Sequence, residues 1–420
     1  MSGLNLSAGQ TVLNPGCRAA LARQMDTPIY YPDYYKAELE AASLLQRLIG
    51  TQCEVLLVTG NATHAMEMTL LSLLEPGETI LTVNSGTFGQ VFTEIARIIG
   101  ANPIEIKIQH GRTISPEQLD YALRMYPQCK AVSLVHIETS TGVMAPLAEL
   151  AQVARKHEKL LIVDAVSSLG VTPLHMDEWG IDALIGSGQK ALNAPQGLSI
   201  LAINQRAWQA IEMRKTPIAS VCLDIRVWQE YRDFGVKAML SSWSGSGSSM
   251  EAKFKVTHGP SPSGPLVYGL LGALRDIFDE GVEKVFQRHE VASRAVREGL
   301  RNLGLSVLAA EEIAAPSVTT ALLPEGISEL EFRKAVFSKY GVALGAGPVE
   351  IGLNAFRIGT MGRTAHPEAV IPGLVAVGNT LLLFGHPCRP DAGQRAAQSV
   401  FDCKSTPELW KIANELNPSQ

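Results

Sequence analysis

The chain has 420 residues, of which 46% are hydrophobic and 18% charged, so it can bury a large core and should divide into about two or three domains. A formal net charge of -5 leaves no basic surplus for binding nucleic acid or an anionic membrane surface. The six cysteines are scattered with no close pair, which indicates neither a zinc knuckle nor a disulfide framework and favours the reducing cytoplasm.

The sequence predicts no targeting or membrane-spanning segment. Its beginning lacks the basic region and apolar core of a secretory signal. The longest apolar stretch, Ala369 to Phe384, is interrupted by Pro372, Gly373 and Gly378, so a buried helix is expected there.

From about residue 50 to residue 205, short apolar runs rich in β-branched residues alternate with amphipathic helical runs. This pattern is typical of an α/β fold, in which a mostly parallel sheet has helices on both faces. Because the runs are mostly unbroken, the strands should be buried on both sides. The predicted strands are Glu54–Thr59, Thr79–Asn84, Pro103–Ile108, Ala131–Glu138, Leu160–Asp164, Ala183–Ser187 and Leu198–Asn204.

Two helix starts stand out in this region. Ser115, followed by proline, glutamate and glutamine, predicts a capped helix that runs to about Tyr126. A second helix is expected over Thr63–Leu74, directly after a strand and the turn 60–62. Backbone N–H groups at such a helix start form a ready anion site.

Beyond residue 205 the alternation ends. No helical or strand period can be followed from Val221 to Gly264, so a long connecting region is expected, and two helices separated near Gly281 should follow. The remaining predicted elements are strands at Ser306–Leu308 and Val318–Leu323, a helix over Ser328–Tyr340, strands around Val342 and Phe356, and a helix after Ser405. We therefore predict an N-terminal arm (1–14) packing on the small domain or on a partner, a large domain (15–264) and a small α+β domain (265–420).

Lys190 and Asp164 suggest the chemistry. Asp164 ends a buried-looking strand, where α/β sheets place their ligands, and it could equally cap the segment that follows. Lys190 alone would pass as a surface residue, but its neighbours are glycine, glutamine and apolar residues. Together the two predict a lysine that forms a Schiff base with pyridoxal phosphate (PLP) and a carboxylate that pairs with the pyridine nitrogen.

Three sequence blocks carry a family resemblance. The blocks at 135–143, 163–170 and 186–197 resemble class V aminotransferases of the alanine-glyoxylate and serine-pyruvate type, and the similarity extends from about Ser7 to Gly362. The resemblance implies fold type I, with a mostly parallel seven-stranded sheet and a smaller C-terminal domain. It also implies a homodimer whose active sites are completed by both subunits.

The resemblance assigns roles to individual residues. Lys190 matches the Schiff-base lysine and Asp164 the partner of the ring nitrogen, while Thr139 and Gln189 match residues that contact the cofactor. The matching phosphate-binding turn consists of Gly60, Asn61, Ala62 and Thr63.

Further matches concern the ring, the substrate and the partner subunit. Phe88 matches the aromatic residue that stacks on the cofactor ring, although its pattern fits a core residue nearly as well. Arg357 matches the arginine that binds the substrate carboxylate and would otherwise pass as an edge-strand charge. The remaining cofactor positions contributed by a partner are His258 and Ser261, and the remaining substrate positions are Gly9 and Tyr31.

The resemblance implies transamination from a small amino acid to glyoxylate or pyruvate. A pyridoxamine-pyruvate or ureidoglycine transaminase and a PLP-dependent lyase remain alternatives. A cysteine desulfurase is disfavoured, because no cysteine occurs between Cys222 and Cys388. The tyrosine-rich segment 28–35 would suit a bulkier or more polar donor if its rings line the partner's pocket.

Overall fold

The computed structural model describes residues 3–23, 32–243, 262–348 and 352–403. In chain order the strands are β1 (Leu4–Leu6), β2 (Glu54–Thr59), β3 (Thr79–Asn84), β4 (Asn102–Lys107), β5 (Ala131–Val135), β6 (Ile137–Glu138), β7 (Val143–Met144), β8 (Leu160–Asp164), β9 (Ala183–Ser187), β10 (Leu198–Ile203), β11 (Ser306–Val307), β12 (Val318–Leu322), β13 (Val342–Ala346) and β14 (Ala355–Gly359).

The helices occupy both halves of the chain. They are α1 (Pro15–Ala22), α2 (Pro32–Ile49), α3 (Ala62–Leu73), α4 (Thr87–Ile98), α5 (Pro116–Met125), α6 (Leu147–Lys156), α7 (Met176–Trp179), α8 (Gln205–Glu212), α9 (Ile225–Trp243), α10 (Gly264–Glu280), α11 (Val282–Asn302), α12 (Glu329–Tyr340), α13 (Pro367–Leu383) and α14 (Pro390–Asp402). None of them, within the described ranges, combines the length and the apolar character needed to cross a bilayer.

The larger sheet has seven strands in the order β2-β10-β9-β8-β5-β3-β4. Strand β10 is antiparallel to both of its neighbours, and the other ladders are parallel. The strands other than β10 therefore run in one direction, and their carboxyl ends share one edge. Thr59, Asn84, Val135, Asp164 and Ser187 lie along this edge, which is where open α/β sheets bind their ligands.

Both faces of the larger sheet are buried, as the unbroken apolar runs predicted. Along β2, Val55 and Leu57 point into one hydrophobic cluster, and Leu56 and Val58 point into the other. Because successive side chains alternate between faces, every position of such a strand needs an apolar residue. Each fully buried side chain of this type contributes roughly 1.5–3 kcal/mol.

The smaller sheet has the order β1-β13-β14-β12-β11 and packs against helices from the second half of the chain. Strand β1 comes from the beginning of the chain and pairs in parallel with β13, with Leu4 opposite Val342. The other ladders of this sheet are antiparallel. The segment that leaves β1 therefore starts at the smaller sheet and reaches the larger one within a few residues.

The structure confirms most predicted elements and corrects two of them. The strand predicted over Ala131–Glu138 is interrupted at His136, and its last two residues form a separate hairpin with β7. The connecting region predicted from Val221 is wrong over Ile225–Trp243, which forms α9. One face of this helix is buried through Ile225, Trp228 and Tyr231. Aromatic and β-branched residues have low helix propensity, which is why the sequence did not indicate a helix here.

Candidate active site

Lys190 and Asp164 are both buried at the carboxyl edge of the larger sheet, with 8% and 4% of their surface exposed. Asp164 is the last residue of β8, and one of its carboxylate oxygens accepts a hydrogen bond from the backbone N–H of Val166 at 2.8 Å. Lys190 lies in the loop after β9, and its Nζ donates to the backbone carbonyl of Ala8. The surface interpretation of Lys190 is therefore wrong.

Burial brings the pKa values of the two groups towards neutrality. It lowers the pKa of Lys190 to about 8, and the nearby positive charge of Arg357 acts in the same direction. It also raises the pKa of Asp164 to about 7, against the hydrogen bond from Val166, which favours the carboxylate. An amine in this range can lose its proton near neutral pH, and a cationic partner beside Asp164 would favour its charged form.

The turn predicted to bind phosphate lies between β2 and α3. Asn61 is the N-cap of α3, and its side-chain oxygen accepts from the backbone N–H of His64 at 3.0 Å. The hydroxyl-bearing side chain of Thr63 is exposed in the first turn of the helix. The free N–H groups of this first turn, next to Ala62, suit a dianion.

Gly60 allows the turn to approach the helix closely. Its φ is +149°, and a Cβ atom there would lie 2.9 Å from the ring of His64. Close by on the same edge, the buried hydroxyl oxygens of Thr59 and Ser187 have no hydrogen-bond partner among the described residues. These two strand ends flank β10, where Leu198 pairs with Thr59 and Ser199 with Ser187. Such orphaned groups fit a polar ligand at this edge.

Phe88 lies in the first turn of α4, the helix that follows β3. The ring is partly buried and packs against the hydrophobic cluster on one face of the sheet, so core packing is part of its role. Its backbone N–H donates to Glu138 at 3.0 Å. The position suits an aromatic residue that also offers a face to a planar ligand.

Arg357 joins the smaller sheet to the site. It lies on β14, which is flanked by β13 and β12, so the edge-strand interpretation is wrong. Its Nε donates to the carbonyl of Ala346 at 2.6 Å, and one terminal nitrogen donates to the carbonyl of Thr139 at 3.0 Å. Thr139 itself is buried directly after β6. The guanidinium is thus oriented by two backbone carbonyls from different parts of the fold.

The N-terminal arm contributes residues that the sequence did not single out. Thr11 Oγ1 donates to the carbonyls of Gln189, at 3.0 Å, and Lys190, at 2.7 Å, and it accepts from the amide of Asn193 at 2.7 Å. Gly9, which lies between Ala8 and Thr11 in the sequence, is exposed. Asn193 belongs to the third block of the resemblance. That block was the only sign in the sequence that Thr11, Gln189, Lys190 and Asn193 lie together.

The tyrosine-rich segment is only partly in the described chain. Tyr34 and Tyr35 are buried inside their own protomer, with ring centroids 5.3 Å apart, and Tyr35 also contacts Tyr231. The hypothesis that this segment lines a partner's pocket is therefore wrong for these two rings. The predicted site residues Tyr31, His258 and Ser261 lie outside the described residues.

Comparisons with known proteins agree with this geometry. A family model described as Aminotransferase class-V matches residues 33–349. An uncharacterised aminotransferase of Methanocaldococcus jannaschii is 30% identical over 88% of this chain and 90% of its own length. An alanine–glyoxylate aminotransferase of Mus musculus is 32% identical over 75% of this chain and 72% of the mouse protein. The crystal structure of pyridoxamine-pyruvate aminotransferase from Mesorhizobium loti superposes with a TM-score of 0.85 at 28% identity, covering 96% of this chain and 97% of that one.

Proposed function

Because the chain belongs to the class V aminotransferase family, whose enzymes of this fold depend on PLP, we propose that it moves an amino group from a small amino acid to glyoxylate or pyruvate. The observation that carries the proposal is the burial of Lys190 and Asp164 at the carboxyl edge of one sheet. A lysine and a carboxylate placed there match what PLP chemistry requires of a protein.

The residues of the site fit this cofactor. PLP supplies an aldehyde that captures amino groups and a ring that accepts electrons from the substrate carbon. Asp164 would pair with the ring nitrogen, and the first turn of α3, with Asn61 and Thr63, would receive the phosphate. Phe88 would cover one face of the ring, and Gln189 and Thr139 would line its edge.

Lys190 would carry out two tasks. Its amine would hold the cofactor until an amino acid takes its place, and the freed amine would then accept the proton that leaves the substrate carbon. A pKa of about 8 supports both tasks, because a useful fraction of the amine is unprotonated near neutral pH. Arg357 would bind the substrate carboxylate with its planar guanidinium, and Gly9 is the other described position that the resemblance assigns to the substrate.

The proposal includes a second subunit and a location. In the resemblance, His258, Ser261 and Tyr31 reach the active site of the partner, which makes a homodimer the expected assembly. The cytoplasm is the proposed location, since the six cysteines are scattered along the sequence with no close pair.

Three related activities are the alternatives. The structural similarity to pyridoxamine-pyruvate aminotransferase favours that activity as the second candidate. Against it, the segment from Gly345 to Glu350 lacks a second arginine of that branch. Ureidoglycine-type transamination and a PLP-dependent lyase use the same first steps and differ in their products.

A labelling experiment tests the proposal. Purified protein is loaded with PLP and treated with borohydride, and we expect the tag on the peptide that contains Lys190. Lys190→Ala should abolish the tag, whereas the exposed control Lys107→Ala should keep it. Each amino acid is added in turn to a separate sample of the PLP-loaded protein that has not been reduced, and conversion of the cofactor to its amine form identifies the donor. A tag on another lysine would overturn the proposal, and release of ammonia with pyruvate would point to the lyase.

A further inference from the structure

We propose that Glu138 is a positioning residue that fixes the two walls of the cofactor site relative to each other. One wall is the start of α4, which carries Phe88, and the other is the turn that contains Thr139 and Ser140. The inference rests on the proposed function, because it concerns how this chain holds PLP.

The carboxylate of Glu138 receives four hydrogen bonds from these two walls. Oε2 accepts from the backbone N–H groups of Phe88, at 3.0 Å, and Gly89, at 3.1 Å. Oε1 accepts from the N–H of Ser140, at 3.1 Å, and from its hydroxyl, at 2.6 Å. The hydroxyl of Ser140 accepts in turn from the N–H of Thr87 at 3.0 Å. One side chain therefore binds both elements.

These contacts favour the charged form of Glu138. Burial raises the pKa of this carboxyl, and each of the four hydrogen bonds opposes that rise. Three of the four contacts are backbone N–H groups, which can only donate and therefore favour unprotonated oxygens. The start of α4 adds the positive end of a helix dipole, which further favours an anion. Glu138 is thus a buried negative charge that the local backbone neutralises.

The fit between the two walls is close. A Cβ atom at Gly86 would lie 2.3 Å from the hydroxyl of Ser140 and 2.6 Å from Cγ of Glu138, so only glycine is compatible with this approach. Thr139, the residue after Glu138, also contributes, because its carbonyl accepts the hydrogen bond from Arg357. A shift of Glu138 would therefore move both the ring wall and the group that orients Arg357.

The charge of Glu138 also reaches the two central residues of the site. It raises the pKa of Asp164 and raises that of Lys190, in each case through its negative charge. Loss of this charge should therefore shift the titration at Lys190, which a loss of packing alone would not do.

The test compares Glu138→Gln with the control Asp182→Asn. Asp182 is a fully buried carboxylate at the opposite end of the same sheet, where it accepts from Leu161 and Asn204 at 2.8 Å. PLP affinity is measured by titration, and the visible absorbance of the Lys190-bound cofactor is followed against pH. For Glu138→Gln we expect affinity about tenfold weaker, because an amide nitrogen faces two N–H donors. We also expect a lower apparent pKa for the Lys190-bound cofactor, since the negative charge that stabilises its protonated form is lost. Asp182→Asn should leave both unchanged.

A second variant keeps the test decisive. Glu138→Asp retains the charge but shortens the side chain, so the titration should resemble that of the unaltered protein while the affinity falls. If unaltered protein is not tagged at Lys190, the proposed function fails. Two other results would overturn only the role of Glu138, provided that the unaltered protein is tagged at Lys190. One is that Glu138→Gln behaves like Asp182→Asn. The other is that Glu138→Asp binds PLP normally and shows a shifted titration.

Discussion

The amine of Lys190 donates a hydrogen bond to the backbone carbonyl of Ala8, 182 residues earlier in the chain. Ala8 is buried two residues after β1, a strand of the smaller sheet, whereas Lys190 follows a strand of the larger sheet. The contact therefore joins the N-terminal arm, the smaller sheet and the reactive amine. The position of the arm should accordingly affect the chemistry at Lys190.

Thr11→Val should loosen this link. The hydroxyl of Thr11 donates to the carbonyls of Gln189 and Lys190 and accepts from the amide of Asn193. The change leaves that amide without this acceptor, while the two carbonyls keep only their backbone donors, the N–H groups of Thr11 and Asn193. We expect the free energy of unfolding to fall by about 1–3 kcal/mol. Urea denaturation measures it, with Thr216→Val as the control, because that hydroxyl bonds Glu75 at an exposed site. Equal effects of the two substitutions would contradict the prediction.

Asp164→Asn should stabilise the apoprotein and weaken the holoprotein. The pKa of Asp164 is about 7 in the folded protein, above its ordinary value of 3.8, so the native state binds more protons than the unfolded state between these two pH values. The associated stability is present below about pH 4 and is lost as the pH rises through 7. The variant has no carboxyl group to titrate at this position, so its stability does not fall in this way as the pH rises. Its amide oxygen can still accept the hydrogen bond from Val166.

Thermal unfolding of both forms at several pH values measures the effect. Apoprotein of the variant should match the unaltered apoprotein near pH 4 and exceed it by about 4 kcal/mol above pH 7, because the pKa is raised by about three units and each unit is worth about 1.4 kcal/mol. With PLP bound the order should reverse, since a neutral amide cannot pair with a protonated ring nitrogen. A variant that is less stable in both forms would contradict this account.

Local sequence determines the large sheet well. Leu160–Asp164 and Ala183–Ser187 are unbroken apolar runs, and the structure has both strands with the predicted bounds. Strands buried on both faces leave few alternatives to such a pattern. The site residues at their ends could be predicted for the same reason, because the carboxyl ends of parallel strands meet at one edge.

Long-range pairing explains what the sequence did not reveal. Strand β1 has three residues, too few for a period, and it forms because it pairs with Val342–Leu344 far along the chain. The sequence indicated no role for Glu138 beyond its place in the first block of the resemblance. Its backbone donors Phe88 and Gly89 lie about 50 residues earlier in the chain, so only the folded structure brings them together. The domain boundaries proposed at residues 14 and 264 stay predictions, as do the roles of residues that a partner would contribute.

Arg357→Lys should impair substrate binding without affecting the cofactor. The guanidinium is held by the carbonyls of Ala346 and Thr139, and lysine cannot reproduce its planar, two-pronged contact with a carboxylate. We expect the KM for donor and acceptor to rise about 10- to 100-fold, the loss of one or two charged hydrogen bonds. PLP affinity should be unchanged. The control Arg333→Lys alters an ion pair with Glu329 on α12 and should leave KM alone. A loss of PLP affinity in Arg357→Lys would count against carboxylate binding.

Asn61→Asp should separate helix capping from phosphate binding. Aspartate caps helices as well as asparagine does, and its charge suits the start of α3, so the hydrogen bond from His64 and the stability should be retained. The same charge would lie beside the phosphate dianion of PLP. We therefore expect PLP to bind about tenfold more weakly, while pyridoxal, which has no phosphate, binds as before. Ser115→Asp changes the cap of α5 at an exposed site and serves as the matched control. Parallel titrations with PLP and pyridoxal measure the effect, and an equal loss for both ligands would show that the turn at Asn61 does not receive the phosphate.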